Sequence, residues 1–85
     1  MKAKKTFKLG EHCIGGIIEA QTDNNNNVII TVKDYDSKKI LHNDSFTNED
    51  LLADYLFEMT SSYFTEQIID WIKTKISLTK HDLWC

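Results

Sequence analysis

The stretch LLADYLFEMTSSYFTEQIIDWIKTKI, residues 51–76, decides the fold of this chain. It is the only long run in which apolar residues recur at helical spacing, and it holds most of the large aromatic side chains. At about 100° per residue its apolar residues fall into two stripes that point roughly 150° apart. The first stripe contains Leu52, Tyr55, Leu56, Met59 and Tyr63, and the second contains Phe64, Ile68, Trp71 and Ile72.

One straight helix cannot place both stripes against the same sheet. The stripes meet at Thr60-Ser61-Ser62, whose hydroxyls compete with helical backbone hydrogen bonds and favour helix caps. We therefore expect two helices, about 48–59 and 62–76, with a kink or tight turn between them. The alternative is a single helix whose second half faces a different partner. If the first stripe covers the sheet, the second must find its cover elsewhere in the chain, on a second copy, or on a target.

The residues before this stretch predict a capped helix start. Thr47 is the candidate N-cap, and Asp50 three residues later completes an approximate capping box. Phe46 and Leu51 are placed to form a hydrophobic staple around it. The acidic side chains at the start also suit the helix dipole.

Upstream of residue 47 the pattern favours strands. Residues 12–20, 28–35 and 40–46 read as three strands joined by short polar turns, and the alternation of Phe7 and Leu9 also fits a strand over residues 5–9. In the strand at 28–35 we expect Val28, Ile30 and Val32 to be buried, and at 40–46 we expect Ile40 to share a side with Phe46. The fold class is therefore α+β, a three-stranded antiparallel β-meander followed by two α-helices (βββαα), with a helix packed on one face of the sheet.

Eighty-five residues form one small domain, residues 1–85, in which the basic arm 1–5 and the tail 77–85 are expected to be flexible. No apolar run reaches membrane-spanning length, and no apolar signal-peptide region follows the lysines at the amino terminus. A cytoplasmic location is expected. The abundance of asparagine, isoleucine, lysine and aspartate indicates an AT-rich coding sequence, which suggests a low-GC bacterium or its phages, with the host cytoplasm as the location of a phage protein.

The charge is unevenly distributed along the chain. All ten basic residues are lysines, and the net charge is -3. Residues 1–33 carry five lysines and three acids, whereas residues 34–58 carry seven acids and two lysines, a net charge of -5. Arginine, the residue best suited to read phosphate and guanine, is absent, so direct binding of nucleic acid is not favoured.

Three patterns suggest chemistry without specifying it. The loop at Asp23 begins like an EF-hand, but its sixth position is Val28 and its twelfth is Asp34, so a hairpin turn is expected instead. A zinc set could combine His12, Cys13, His81 and Cys85, although adjacent strand residues point to opposite faces. Glycines 15 and 16 indicate a bulge, a tight turn or a close approach of backbones. No catalytic motif is present, so neither an enzyme, a cofactor nor a metal is expected.

The leading hypothesis is a small non-enzymatic module that binds another protein through its acidic middle and through aromatic side chains left over after core packing. Such a surface can occupy a cationic cleft built for nucleic acid, and its most concrete form is a phage or mobile-element inhibitor of a bacterial defence nuclease, similar in role to an anti-CRISPR protein. The alternatives are a nucleic-acid accessory protein using the lysine arm and a small zinc protein; a homodimer is also open. The candidate partner-binding residues are Asp34, Asp36, Asp44, Glu49, Asp50, Asp54, Glu58, Phe64, Ile68, Trp71 and Trp84.

Overall fold

The computed structural model describes residues 2–10, 16–23 and 25–76, and it shows a four-stranded sheet with two helices. The strands are β1 (Ala3–Lys8), β2 (Ile17–Thr22), β3 (Val28–Lys33) and β4 (Ile40–Phe46), and the helices are α1 (Glu49–Met59) and α2 (Ser62–Lys73). All neighbouring strands are antiparallel, and their order in the sheet is β1-β2-β3-β4. The described part of the chain is thus an α+β fold built as a meander followed by a helical pair.

The sheet has four strands, so the prediction of a three-stranded meander is wrong by one strand. The additional strand, β1, takes in part of the arm at residues 1–5 that was expected to be flexible. Four of its six side chains are exposed, so the sequence of β1 lacks the apolar residues that usually indicate a buried strand. The strand forms because it pairs along its whole length with β2, from Ala3 opposite Thr22 to Lys8 opposite Ile17.

The core lies between one face of the sheet and both helices. Val28, Ile30 and Val32 are fully buried, as predicted, because alternate residues of a strand point to the same face. The other strands and the helices complete the core with Ile18, Ala20, Leu52, Leu56, Ile68, Ile72 and Ile76. We call the opposite face the uncovered face, because no described helix or strand packs on it.

The helical region is interrupted between Met59 and Ser62, which confirms the prediction of two helices. Thr60 and Ser61 leave helical geometry, and the Ser61 side chain accepts a hydrogen bond from the Phe64 N–H (3.5 Å). The turn brings the second stripe back onto the same sheet, where Ile68 is fully buried. Of the three covers that the sequence leaves open for this stripe, the rest of the chain is the one found for Ile68 and Ile72.

Helix α1 is capped by Asn48 rather than by Thr47. The Asn48 side chain accepts a hydrogen bond from the Leu51 N–H at 3.0 Å, as an N-cap does for the third helical residue. The predicted capping box is displaced, since Leu51 and not Asp50 occupies that third position. Phe46 packs instead on Tyr55, with ring centroids 5.0 Å apart.

An aspartate side chain stabilises the β2–β3 turn, and a glycine allows two backbone segments to lie close together. Asp23 Oδ1 accepts hydrogen bonds from the N–H groups of Asn25 (2.8 Å) and Asn27 (3.0 Å), as expected of a hairpin turn. A Cβ atom on Gly16 would lie 2.7 Å from the Cβ of Tyr35, so this glycine marks the expected close approach of two backbones.

Strand β4 contains an irregularity that alters its predicted faces. The β3–β4 register shifts after the pair Val32–His42, so that Lys33 lies opposite Ile40. Leu41 is the extra residue of this bulge. Ile40 therefore does not share a side with Phe46, and its side chain is 56% exposed.

Candidate protein-binding surface

The outward side of α1 combines acidic and apolar side chains. Asp50, Asp54 and Glu58 are spaced four residues apart, so they form one row opposite the buried Leu52 and Leu56. Leu51 (62% exposed) and Phe57 (60% exposed) flank this row on either side. We call these five exposed residues, Asp50, Leu51, Asp54, Phe57 and Glu58, the acidic helix face.

The acidic helix face receives no compensating charge from its own helix, because α1 contains four acids and no basic residue. The fourth acid, Glu49, lies apart from the face, and its Oε1 is 2.8 Å from Lys73 Nζ at the end of α2. Oε1 accepts no hydrogen bond of regular geometry among the described residues, so we treat this contact as an ion pair. It raises the pKa of Lys73 and ties the start of α1 to the end of α2.

Charge is divided between the two layers of the molecule. The helices α1 and α2 together carry six acidic residues and one lysine, a net charge of -5, whereas the four strands carry four lysines and two acids, a net charge of +2. The helical layer is therefore the negative side of the described fold, and the sheet is the positive side.

On the uncovered face, Glu19 holds two of the strand lysines. Its Oε1 lies 3.1 Å from Lys4 Nζ and its Oε2 lies 2.7 Å from Lys33 Nζ. The hydrogen bond from Lys33, followed by that from Lys4, keeps the pKa of Glu19 below its ordinary value. This three-residue bridge joins β1, β2 and β3 and engages two of the positive charges of the uncovered face.

Asp34 and Asp36, which sequence grouped with the other acids, lie in the β3–β4 turn. Asp34 Oδ2 accepts hydrogen bonds from the Ser37 N–H (2.9 Å), the Ser37 hydroxyl (3.1 Å) and the Asp36 N–H (3.2 Å). The bonds from Ser37 are the main reason that the pKa of Asp34 is lowered. Strand β4 lies between this turn and α1, and its length of about 20 Å separates these acids from the start of α1.

Asp44 lies in the middle of β4, beside α1. Burial raises the pKa of Tyr55 to about 12, and the neighbouring Asp44 carboxylate adds to the rise. The Tyr55 hydroxyl donates no hydrogen bond of regular geometry to any described residue, so the contact is an electrostatic one. Asp44 itself is exposed.

The apolar candidates occupy three different environments. Ile68 is fully buried in the core and therefore leaves the set of surface candidates. Trp71 is half-buried against Phe7 of β1, with ring centroids 6.2 Å apart, and Phe64 packs edge-on against Tyr63. Trp84 lies outside the described residues, as do the four residues of the hypothetical zinc set, His12, Cys13, His81 and Cys85.

Leu51 and Phe57 were not among the predicted partner-binding residues, although the sequence contains their signal. Both fall outside the stripe of Leu52 and Leu56 on the 100° helical projection, which already places them on the solvent side. Large exposed apolar residues beside a row of acids are a more specific feature than acids alone.

The described residues contain neither a membrane-spanning helix nor a metal-binding cluster. None of their helices combines the length and apolar character needed to cross a membrane. Within the same ranges, no three histidine, cysteine, aspartate or glutamate residues are grouped so that they could hold a metal ion. Comparison of the chain with protein-family models, with curated proteins and with solved structures found no match, so the surfaces described above are the basis for any functional conclusion.

Proposed function

We propose that this protein is a non-enzymatic binding module whose acidic helix face docks on a basic surface of another protein. The observation that carries the proposal is the combination on α1 of an acidic row with exposed Leu51 and Phe57. Exposed aromatic and aliphatic side chains supply contact area, while the surrounding carboxylates select a cationic partner and speed its encounter.

The class of partner follows from the same chemistry. A cationic groove that normally holds nucleic acid offers regularly spaced lysine and arginine side chains, which a row of carboxylates can engage in place of phosphates. A narrower form of the proposal is therefore an inhibitor of a bacterial nucleic-acid-cleaving defence enzyme, encoded by a phage or a mobile element and acting in the bacterial cytoplasm.

The test compares two double variants that remove the same amount of charge. D54N/E58Q neutralises two of the three acids of the acidic helix face and leaves Asp50 in the first turn of the helix, whereas E66Q/D70N neutralises two exposed acids of α2. Each purified protein is titrated against a panel of purified bacterial defence nucleases, and both binding and DNA cleavage are measured. We expect D54N/E58Q to weaken binding about tenfold at low salt, and E66Q/D70N to bind like the wild type.

A second pair of variants tests the apolar part of the acidic helix face. Phe57→Ala removes an exposed ring inside the face, and Tyr63→Ala removes a similarly exposed ring at the start of α2. We expect only Phe57→Ala to weaken binding, at high salt as well as at low salt, because the lost contact is not electrostatic. If both double variants and both ring variants bind equally well, the acidic helix face is not the binding surface.

A second candidate function uses the opposite layer. The uncovered face presents Lys4 and Lys8 on β1 and Lys33 on β3, on either side of β2, an arrangement that favours contact with nucleic-acid phosphates. Against it, Glu19 already bridges two of these lysines. Titration of single- and double-stranded DNA at low salt decides this candidate, since it requires binding that weakens when Lys8 is replaced by glutamine.

A further inference from the structure

The two edges of the sheet differ in how they meet solvent. Strand β1, at one edge, carries Lys4, Lys5 and Lys8, and charged side chains of this kind discourage the addition of another strand. Strand β4, at the other edge, contains no lysine and no proline, and six of its seven side chains are exposed. Apart from the bulge at Leu41 and the carboxylate of Asp44, β4 lacks the features with which natural proteins protect an edge strand.

The hydrogen bonds of the β3–β4 turn show which backbone groups of β4 point outward. The N–H of Asp34 donates to the carbonyl of Lys39 at 2.9 Å, so the even-numbered residues of β3 point their backbone groups toward β4. Their partners, His42, Asp44 and Phe46, point back toward β3. By the alternation of strand residues, Asn43 and Ser45 then present their N–H and C=O groups to the open edge.

We propose that this edge pairs with β4 of a second copy of the chain. A two-fold axis at Asn43 makes the pairing antiparallel and sets Asn43 opposite its own equivalent, so that outward-facing residues exchange backbone hydrogen bonds. The result is one continuous eight-stranded sheet. The proposal concerns a surface separate from the acidic helix face and does not depend on it.

Complementarity between an imidazole, which can donate a hydrogen bond, and a carboxylate, which accepts one, selects this register. With Asn43 on the axis, His42 lies opposite Asp44 of the second copy, and the symmetry makes this pair twice. These are positions without backbone hydrogen bonds, where the side chains of an antiparallel pair come closest. The registers displaced by two residues set Asp44 against Asp44 or His42 against His42, which removes the complementarity.

The apolar side chains of the edge support the same arrangement. Ile40 and Leu41 are 56% and 45% exposed at the start of β4, beside the bulge. In the proposed pairing they lie at the end of the shared ladder, next to the second copy, and lose part of that exposure.

The experiment measures molar mass by light scattering across a concentration series, with a reducing agent present because the chain contains two cysteines. We expect twice the mass of the single chain. His42→Asp sets two carboxylates opposite one another, and Asp44→Lys replaces the carboxylate opposite His42 by a cation. Each change occurs in two symmetric pairs and should raise the dimer dissociation constant roughly tenfold. The double variant H42D/D44K sets a carboxylate opposite an ammonium group and should restore the dimer, which a folding defect would not do.

A backbone variant tests the edge directly. Asn43→Pro removes an N–H that the pairing uses and that β3 does not, whereas Thr6→Pro removes an outward N–H on β1. We expect Asn43→Pro to be monomeric and Thr6→Pro to remain dimeric. The proposal is overturned if the wild type is monomeric throughout the series, if it forms open-ended assemblies larger than a dimer, or if the dimer is unaffected by the β4 variants.

Discussion

At the scale of single residues, Glu19 is the clearest electrostatic feature of the uncovered face. Its side chain is 17% exposed and contacts Lys4 and Lys33 on the two neighbouring strands. Because its pKa is below its ordinary value of 4.5 in the folded state, ionised Glu19 stabilises the fold. This stabilisation is fully present above the ordinary pKa and is lost as the pH falls toward the lowered one.

We expect Glu19→Gln to lower the free energy of unfolding at pH 7 by about 0.5–1 kcal/mol, a value that allows for solvent screening of a partly exposed pair. We also expect the variant to lose less stability than the wild type when the pH is lowered below 4.5. Some acid sensitivity should remain, since the pKa values of Asp23 and Asp34 are lowered as well. Urea unfolding at several pH values measures both effects.

The matched control is Glu66→Gln, which neutralises an exposed glutamate of α2 for which the described residues offer no ion pair. It should leave both the stability and its pH dependence unchanged. Equal pH profiles for the wild type and Glu19→Gln would contradict the assignment of a stabilising role to the Lys4–Glu19–Lys33 bridge.

At the scale of secondary-structure elements, the geometry at the start of α1 distinguishes between Thr47 and Asn48 as the N-cap. The hydrogen bond from the Leu51 N–H to the Asn48 side chain identifies Asn48 as the N-cap. We expect Asn48→Ala to destabilise the protein by about 1 kcal/mol, because it leaves an N–H of the first turn without a partner. Thr47→Ala, one residue earlier, should change the stability little. Chemical denaturation of the two variants checks the order, and a larger effect at Thr47 would contradict it.

The sequence located the elements better than it located their ends. The break between the helices was predictable because two apolar stripes cannot face one sheet along a straight axis. The sequence does not decide between Thr47 and Asn48 as the cap, because threonine and asparagine are both good N-caps and only the path of the backbone separates them. The alternation of Phe7 and Leu9 indicates a strand near β1 but does not show that it joins the sheet, because that depends on its pairing with β2.

At the scale of the whole molecule, both helices share one core with the sheet. Ile68 of α2 is fully buried together with Leu52 and Leu56 of α1 and the apolar residues of β2 and β3. We expect Ile68→Ala to cost about 2–5 kcal/mol, because it leaves a cavity in the core. Tyr63→Ala, at an exposed position of the same helix, should cost much less.

Thermal unfolding followed by circular dichroism measures this difference. Since small single domains usually unfold in one cooperative step, Ile68→Ala should lower the melting temperature of helix and sheet signals together. Separate melting of α2, or equal effects of the Ile68 and Tyr63 variants, would show that α2 is not part of the shared core.

The binding surface could be predicted only in part. The excess of acid in residues 34–58 is visible in the sequence, but folding distributes these acids among a turn, a strand edge, an ion pair and the outward side of α1. Only Asp50, Asp54 and Glu58 remain together, because their spacing matches the helical repeat. A helical projection gives the direction of the stripe that contains Ile68 but not the element that covers it, so it does not show that Ile68 is buried.

The division of charge between the layers gives the molecule an electric dipole moment that runs from the helices to the sheet. In the field of a positively charged body, a freely tumbling protein of this kind spends more of its time with the helices in front. Fewer random collisions then bring the sheet, and not the helices, against the partner. The arrangement of strands and helices thus influences how the protein approaches a partner before any side chain has touched it, and dissolved salt weakens this orientation.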